Sequence, residues 1–120
     1  MNTYKELTVW QKSMQLCTDV YIVTKKFPKE EMYGLVSQIR RSSVSIPSNI
    51  AEGYRRGHKQ EFIQFLRIAY GSGSELETQL QISLNIKYLT SEEYSKLNSL
   101  LEEILKMLNK LISSVLRTMN

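Results

Sequence analysis

Six cations in the middle of the chain, Arg40, Arg41, Arg55, Arg56, Lys59 and Arg67, form the one set of side chains whose types and spacing suit a ligand. Tyr54 and Tyr70 are interleaved with them. Guanidinium groups bind phosphate in a bidentate way and stack on bases, and tyrosine rings offer platforms for unpaired bases. The same residues also read as a solvated face paired with Glu52, Glu61 and Glu75, and the sequence leaves both readings open.

Other chemistries lack their constellations. A di-iron bundle needs Glu-x-x-His pairs, but the single histidine, His58, has Arg55 three residues before it. His58 reads instead as a corner residue beside Lys59. Glu75 and Glu77, two apart on a helix, point to different sides and do not make an acid and base pair. Serines 42, 43, 45 and 48 have no nucleophile elbow, and the glycines at 57, 71 and 73 do not form a phosphate loop. A non-enzyme without metal or cofactor is therefore expected.

The elements that position the cations follow from hydrophobic period. At 120 residues and 42% hydrophobic, the chain suits a single domain over 1–120. Trp10, Met14, Cys17 and Tyr21 recur at helical steps from Leu7, with Val9, Val20 and Val23 widening the stripe into a helix buried over much of its circumference, and that helix should stop before Phe27 and Pro28. Cys17, the only cysteine, reads as a buried core thiol. Pro28 followed by Glu30 and Glu31 predicts the start of a second helix, running through Val36, Ile39, Ser43, Ile46 and Ile50. Pro47 predicts a kink there, with Ser45, Ser48 and Asn49 able to satisfy freed backbone groups. Gly53 and Gly57 bracket the exit, and Tyr54 to Lys59 should form an exposed corner whose Glu52 pairs with Arg40, Arg55 or Arg56.

A third helix carries a seam of Phe62, Leu66, Ala69, Gly73, Leu76 and Leu80. Gly71 and Gly73 each cost it about 1 kcal/mol against alanine, which close helix approach at Gly73 would offset. Thr90 or Ser91 caps a fourth helix, with a heptad of Leu97, Leu101, Ile104, Leu108, Leu111 and Val115. Leu100, Met107 and Ile112 give that helix a second apolar flank, which suggests assembly. The pattern predicts an all-α, antiparallel up-down four-helix bundle.

No stretch is apolar enough to span a membrane, and the start lacks the apolar core of a secretory signal, so a cytoplasmic protein is expected. Net charge is +4. Its distribution is uneven, +5 over residues 1–60 and −1 over 61–120, which suits a polyanion-binding face.

VWQKSMQL at 9–16, RRSSVSIPSNIAEGYRRG at 40–57, EFIQFLRIA at 61–69 and GSGSELETQL at 71–80 together make the chain resemble the 23S rRNA intervening-sequence proteins. The resemblance implies a bundle assembled as a ring-like homopentamer. A related bundle, the accessory variability determinant of diversity-generating retroelements, is a basic pentamer implicated in binding reverse transcriptase and nucleic acid. Two positions depart from the family pattern: Tyr70, where Arg or Lys is common, and Gly73, where a larger apolar residue is usual. The expected function is that of an oligomeric, basic nucleic-acid-binding or ribonucleoprotein accessory protein, binding RNA or DNA through Arg40, Arg41, Arg55, Arg56, Lys59 and Arg67. Pro47, Asn49, Glu52, Gly53 and Gly73 are assigned to architecture. The alternative is a protein-interaction scaffold with no nucleic-acid role.

Overall fold

Thr3 opens the described chain, residues 3–119 of a computed structural model, by accepting a hydrogen bond from the Lys5 amide and starting a 3-10 turn, Tyr4–Glu6. Four helices follow: α1 (Thr8–Thr24), α2 (Leu35–Arg55), α3 (Lys59–Asn85) and α4 (Ser91–Arg117). No strand occurs among the described residues.

α1 stops before Phe27 and Pro28 as its sequence predicts, and Val9, Cys17 and Val20 of the expected stripe are buried. Val9, Leu16 and Val20 point inward, whereas Met14 and Tyr21 are exposed. The buried face is narrower than the predicted one and also takes in Ser13 and Thr24. Their hydroxyls hide from the core by donating to the carbonyls of Val9 and Val20.

Pro28 does not open α2. It precedes a 3-10 turn, Lys29–Glu31, after which Gly34 (φ −115°, ψ −108°) takes the chain out of helical geometry. α2 then begins at Leu35, whose amide donates to Glu31 Oε1 at 3.4 Å. The second oxygen of Glu31 accepts from the Tyr88 hydroxyl at 3.0 Å. Those carboxylate contacts fix the turn where the sequence suggested a continuous helix.

α2 runs unbroken through Pro47, so no fresh segment starts there. A proline at 47 leaves the Ser43 carbonyl without its usual amide donor. The Cys17 thiol on α1 supplies one, Sγ to Ser43 O at 2.9 Å. Asn49 Nδ2 donates to the carbonyl and hydroxyl of Ser45, at 2.8 and 2.9 Å, and the Ser45 hydroxyl meets that of Ser72 on α3 at 2.7 Å. Pro47 is thus tolerated inside the packing of α1, α2 and α3.

Gly57, at φ 78°, turns the chain into α3. α4 starts with a capping box: Thr90 Oγ1 accepts from the Glu93 amide and Glu93 Oε1 from the Thr90 amide. Ile39, Ile46, Ile50, Leu66, Leu76, Leu80, Leu101, Ile104 and Leu108 fill the centre. The second flank of α4 is used within the chain. Leu105 and Ile112 are buried, and Leu100, Met107, Leu111 and Val115 pack against the core's edge.

Each helix packs on its sequence neighbours, and α1 closes on α4; the diagonal pairs do not meet. Two glycines set the spacing. A Cβ on Gly53 would lie 2.6 Å from Phe65 Cβ, and one on Gly73 2.5 Å from Leu105 Cδ2, so α2 approaches α3 and α3 approaches α4 closely there. One end of the 49 Å long molecule is tied by the Lys26–Glu93 ion pair and the Tyr88–Glu31 bond. At the other, the Arg55 guanidinium lies over Tyr4 and Lys59 Nζ donates to the Thr118 carbonyl.

Candidate nucleic-acid interface

The helices divide the six cations between three places. Arg55, Arg56 and Lys59 sit at the Tyr4 end, where α2 turns into α3. Arg40 and Arg41 lie along α2, with Arg41 about 21 Å from Arg55 by helical rise. Arg67 lies in the groove between α3 and α4, beside Tyr70, Asn109 and Leu116.

Their freedom to bind differs as much as their position. Arg40 is engaged with α1: its Nε donates to Thr24 Oγ1 at 3.0 Å and its guanidinium lies 4.5 Å from the Tyr21 ring centre. Arg56 pairs with Glu52 at 3.0 Å and with Glu61 at 3.6 Å, and covers the Phe65 ring. Glu52 therefore chooses Arg56, and the carboxylates soak up much of that cation's field. Among the described residues, Arg55 stacks on Tyr4 with no ion pair, and Arg41 has none either. Tyr54 is half-buried, edge-on to Phe62 at 5.9 Å, so it braces the corner and offers no open platform.

The Tyr4 end gains two cations that sequence reasoning missed. Lys5 follows the ring on which Arg55 stacks, and Arg117 precedes the carbonyl that Lys59 holds. Both are exposed. Nothing local in sequence could have joined them to Arg55, because they come from the first and last described elements. Together Lys5, Arg55, Arg56, Lys59 and Arg117 give one end of the bundle a cluster of five cations, drawn from four elements of the chain. Cations grouped this way suit phosphate contacts, which position a nucleic acid without reading its bases.

The other chemistries find little support in the arrangement. His58 is exposed at the corner, and among the described residues no three His, Cys, Asp or Glu side chains are grouped to hold a metal ion. The Cys17 thiol is pushed up to about 11 by burial, against which the Ser43 hydroxyl works, and so stays protonated at neutral pH. Among the described residues no helix is long and apolar enough to cross a membrane.

With this geometry in place, a protein-family comparison decides the relationship: the model described as 23S rRNA-intervening sequence protein matches residues 5–110. The chain belongs to that family. Among solved structures it is similar to a protein of unknown function from the S23 ribosomal protein family of Bacteroides thetaiotaomicron. The two are 29% identical, with a TM-score of 0.82 over 88% of this chain and 98% of the other. No curated protein matches. The family match spans four of the five cations of the Tyr4 end and stops short of Arg117.

Proposed function

We propose that this member of the 23S rRNA-intervening sequence family is a non-enzymatic, oligomeric accessory protein that binds RNA or DNA through its Tyr4 end. The observation that carries the reading is the convergence of Lys5, Arg55, Arg56, Lys59 and Arg117 on one end, with Arg55 held ready on the Tyr4 ring. The ties at the two ends, Lys26 to Glu93 and Lys59 to Thr118, support an up-down antiparallel order of helices. That order brings both termini of the described chain to the basic end.

Assembly belongs to the same reading. The family resemblance supplies the number five, a ring-like homopentamer. Five copies raise the net charge from +4 to about +20 before screening and repeat the same end five times, so weak phosphate contacts gain avidity.

Fluorescence anisotropy with single- and double-stranded RNA and DNA tests the function. We expect binding with little sequence preference that weakens steeply with salt. Arg55→Glu with Arg117→Glu should weaken it for every sequence and flatten the salt dependence, by roughly one unit of slope per lost phosphate contact. No binding at low salt, or binding untouched by the double reversal, turns the reading to a protein-interaction scaffold, which the exposed apolar residues Tyr33, Met32 and Val44 favour.

A further inference from the structure

Two outward faces of the bundle have no partner within the chain. The first is the seam between α1 and α2, a groove of about 420 Å³ lined by Tyr21, Met32, Tyr33, Arg40, Arg41 and Val44. Tyr33 is 96% exposed, and Tyr21, Met32 and Val44 each keep about two fifths of their surface in water. Arg40 is held by α1, which leaves Arg41 as the charge of the seam with no ion pair among the described residues.

The second is the outer stripe of α3, Ile68, Gly71, Glu75, Thr78 and Ile82, at steps of three and four, continued by Ile86 just past the helix end. Its three isoleucines are each 43–48% exposed, and Glu75, its only charge, takes part in no ion pair among the described residues. Gly71 adds a separate observation. A Cβ there would meet nothing within 4 Å, so the roughly 1 kcal/mol that a helix-interior glycine costs is not offset inside this chain.

We infer that these faces are each other's partners: the outer stripe of α3 docks into the α1/α2 seam of the next copy, with Glu75 of one chain against Arg41 of the other. The inference rests on the self-assembly proposed above and names the surfaces that perform it. Heights along the bundle agree. Counted from each helix's own terminus at the end tied by Tyr88 and Glu31, Ile82 and Tyr21 each lie about 5 Å in, three residues from their helix ends. Glu75 lies about 15 Å in, opposite Val44 at about 14 Å, and Arg41 at about 9 Å reaches it with its long side chain. Gly71 and Ser48 stand level at about 20 Å, two small residues where the helices must come closest.

Copies joined this way run parallel. Because the two faces differ, the contact is head-to-tail, and because α3 neighbours α2, the faces do not lie back to back. Each copy is then rotated from the last about an axis along the bundle, which closes into a ring instead of a straight fibre. Every Arg55 end falls on the same side of that ring.

Light scattering coupled to size exclusion, at tens of micromolar protein, provides the test. Wild type should be an oligomer. Arg41→Glu and Glu75→Arg should each weaken assembly by roughly tenfold or more, and the two together should restore it. Ile82→Asp should dissociate the oligomer by a separate route. All three positions are exposed, so helical circular dichroism should not change. An oligomeric wild type that none of the variants disturbs overturns these docking faces and leaves self-assembly standing. A double variant that stays dissociated overturns the Glu75–Arg41 contact. A monomeric wild type overturns both proposals.

Discussion

At the scale of single residues, the Ser43 carbonyl joins two positions 30 apart in sequence, Cys17 and Pro47. Cys17→Ala takes the thiol donor away from the carbonyl of Ser43, a fully buried residue, and should destabilise the fold by about 1–3 kcal/mol in denaturant titrations. Pro47→Ala returns an amide donor to that carbonyl. In its background the Cys17→Ala loss should shrink, with a coupling of about 1 kcal/mol in a double-mutant cycle. The thiol also sets a pH dependence. Its folded pKa, raised from 9.0 to about 11, means that its contribution to stability is full below pH 9 and is lost as pH rises through 11. Cys17→Ser keeps a donor and does not titrate, so the loss specific to this thiol should vanish from its profile. The burial of Cys17 was legible from its apolar neighbours. The partnership with Ser43 was not, because helical period gives a face and no register between helices.

At the scale of elements, three glycines make opposite predictions. Gly53→Ala drives a Cβ against Phe65 Cβ, where only backbone movement gives relief, so it should cost about 1–3 kcal/mol. Gly73→Ala meets the tip of the Leu105 side chain, which can rotate, and should cost less than Gly53→Ala. Gly71→Ala should raise monomer stability by up to about 1 kcal/mol in thermal or chemical melts. If α3 docks closely on the next copy, the same change should weaken assembly. The close approach at Gly73 was readable from the heptad that passes through it, whereas Gly53 looked like part of a helix exit. Its role depends on where α3 returns. The same limit explains the misjudged start of α2, since Glu31 is fixed by Tyr88, 57 residues away. The α1 face was legible at Val9, Cys17 and Val20 but not at Ser13 and Thr24, whose hydroxyls mask their burial.

At the scale of the whole molecule, the chain's cations are sorted by topology more than by sequence. Arg55, Arg56 and Lys59 were readable as a corner, but Lys5 and Arg117 join it only because α1 and α4 reach the same end. Arg40, Arg41 and Arg67, adjacent to that set in sequence, are carried away from it by the length of α2 and the course of α3. The α1/α2 seam that holds Arg40 and Arg41 also covers the only thiol. Cys17 sits under it, so thiol reagents gain access only when α1 parts from α2. Labelling of wild type therefore works as a clock for that opening, with no engineered probe. The clock should run slower as protein concentration rises if neighbouring copies close over the seam.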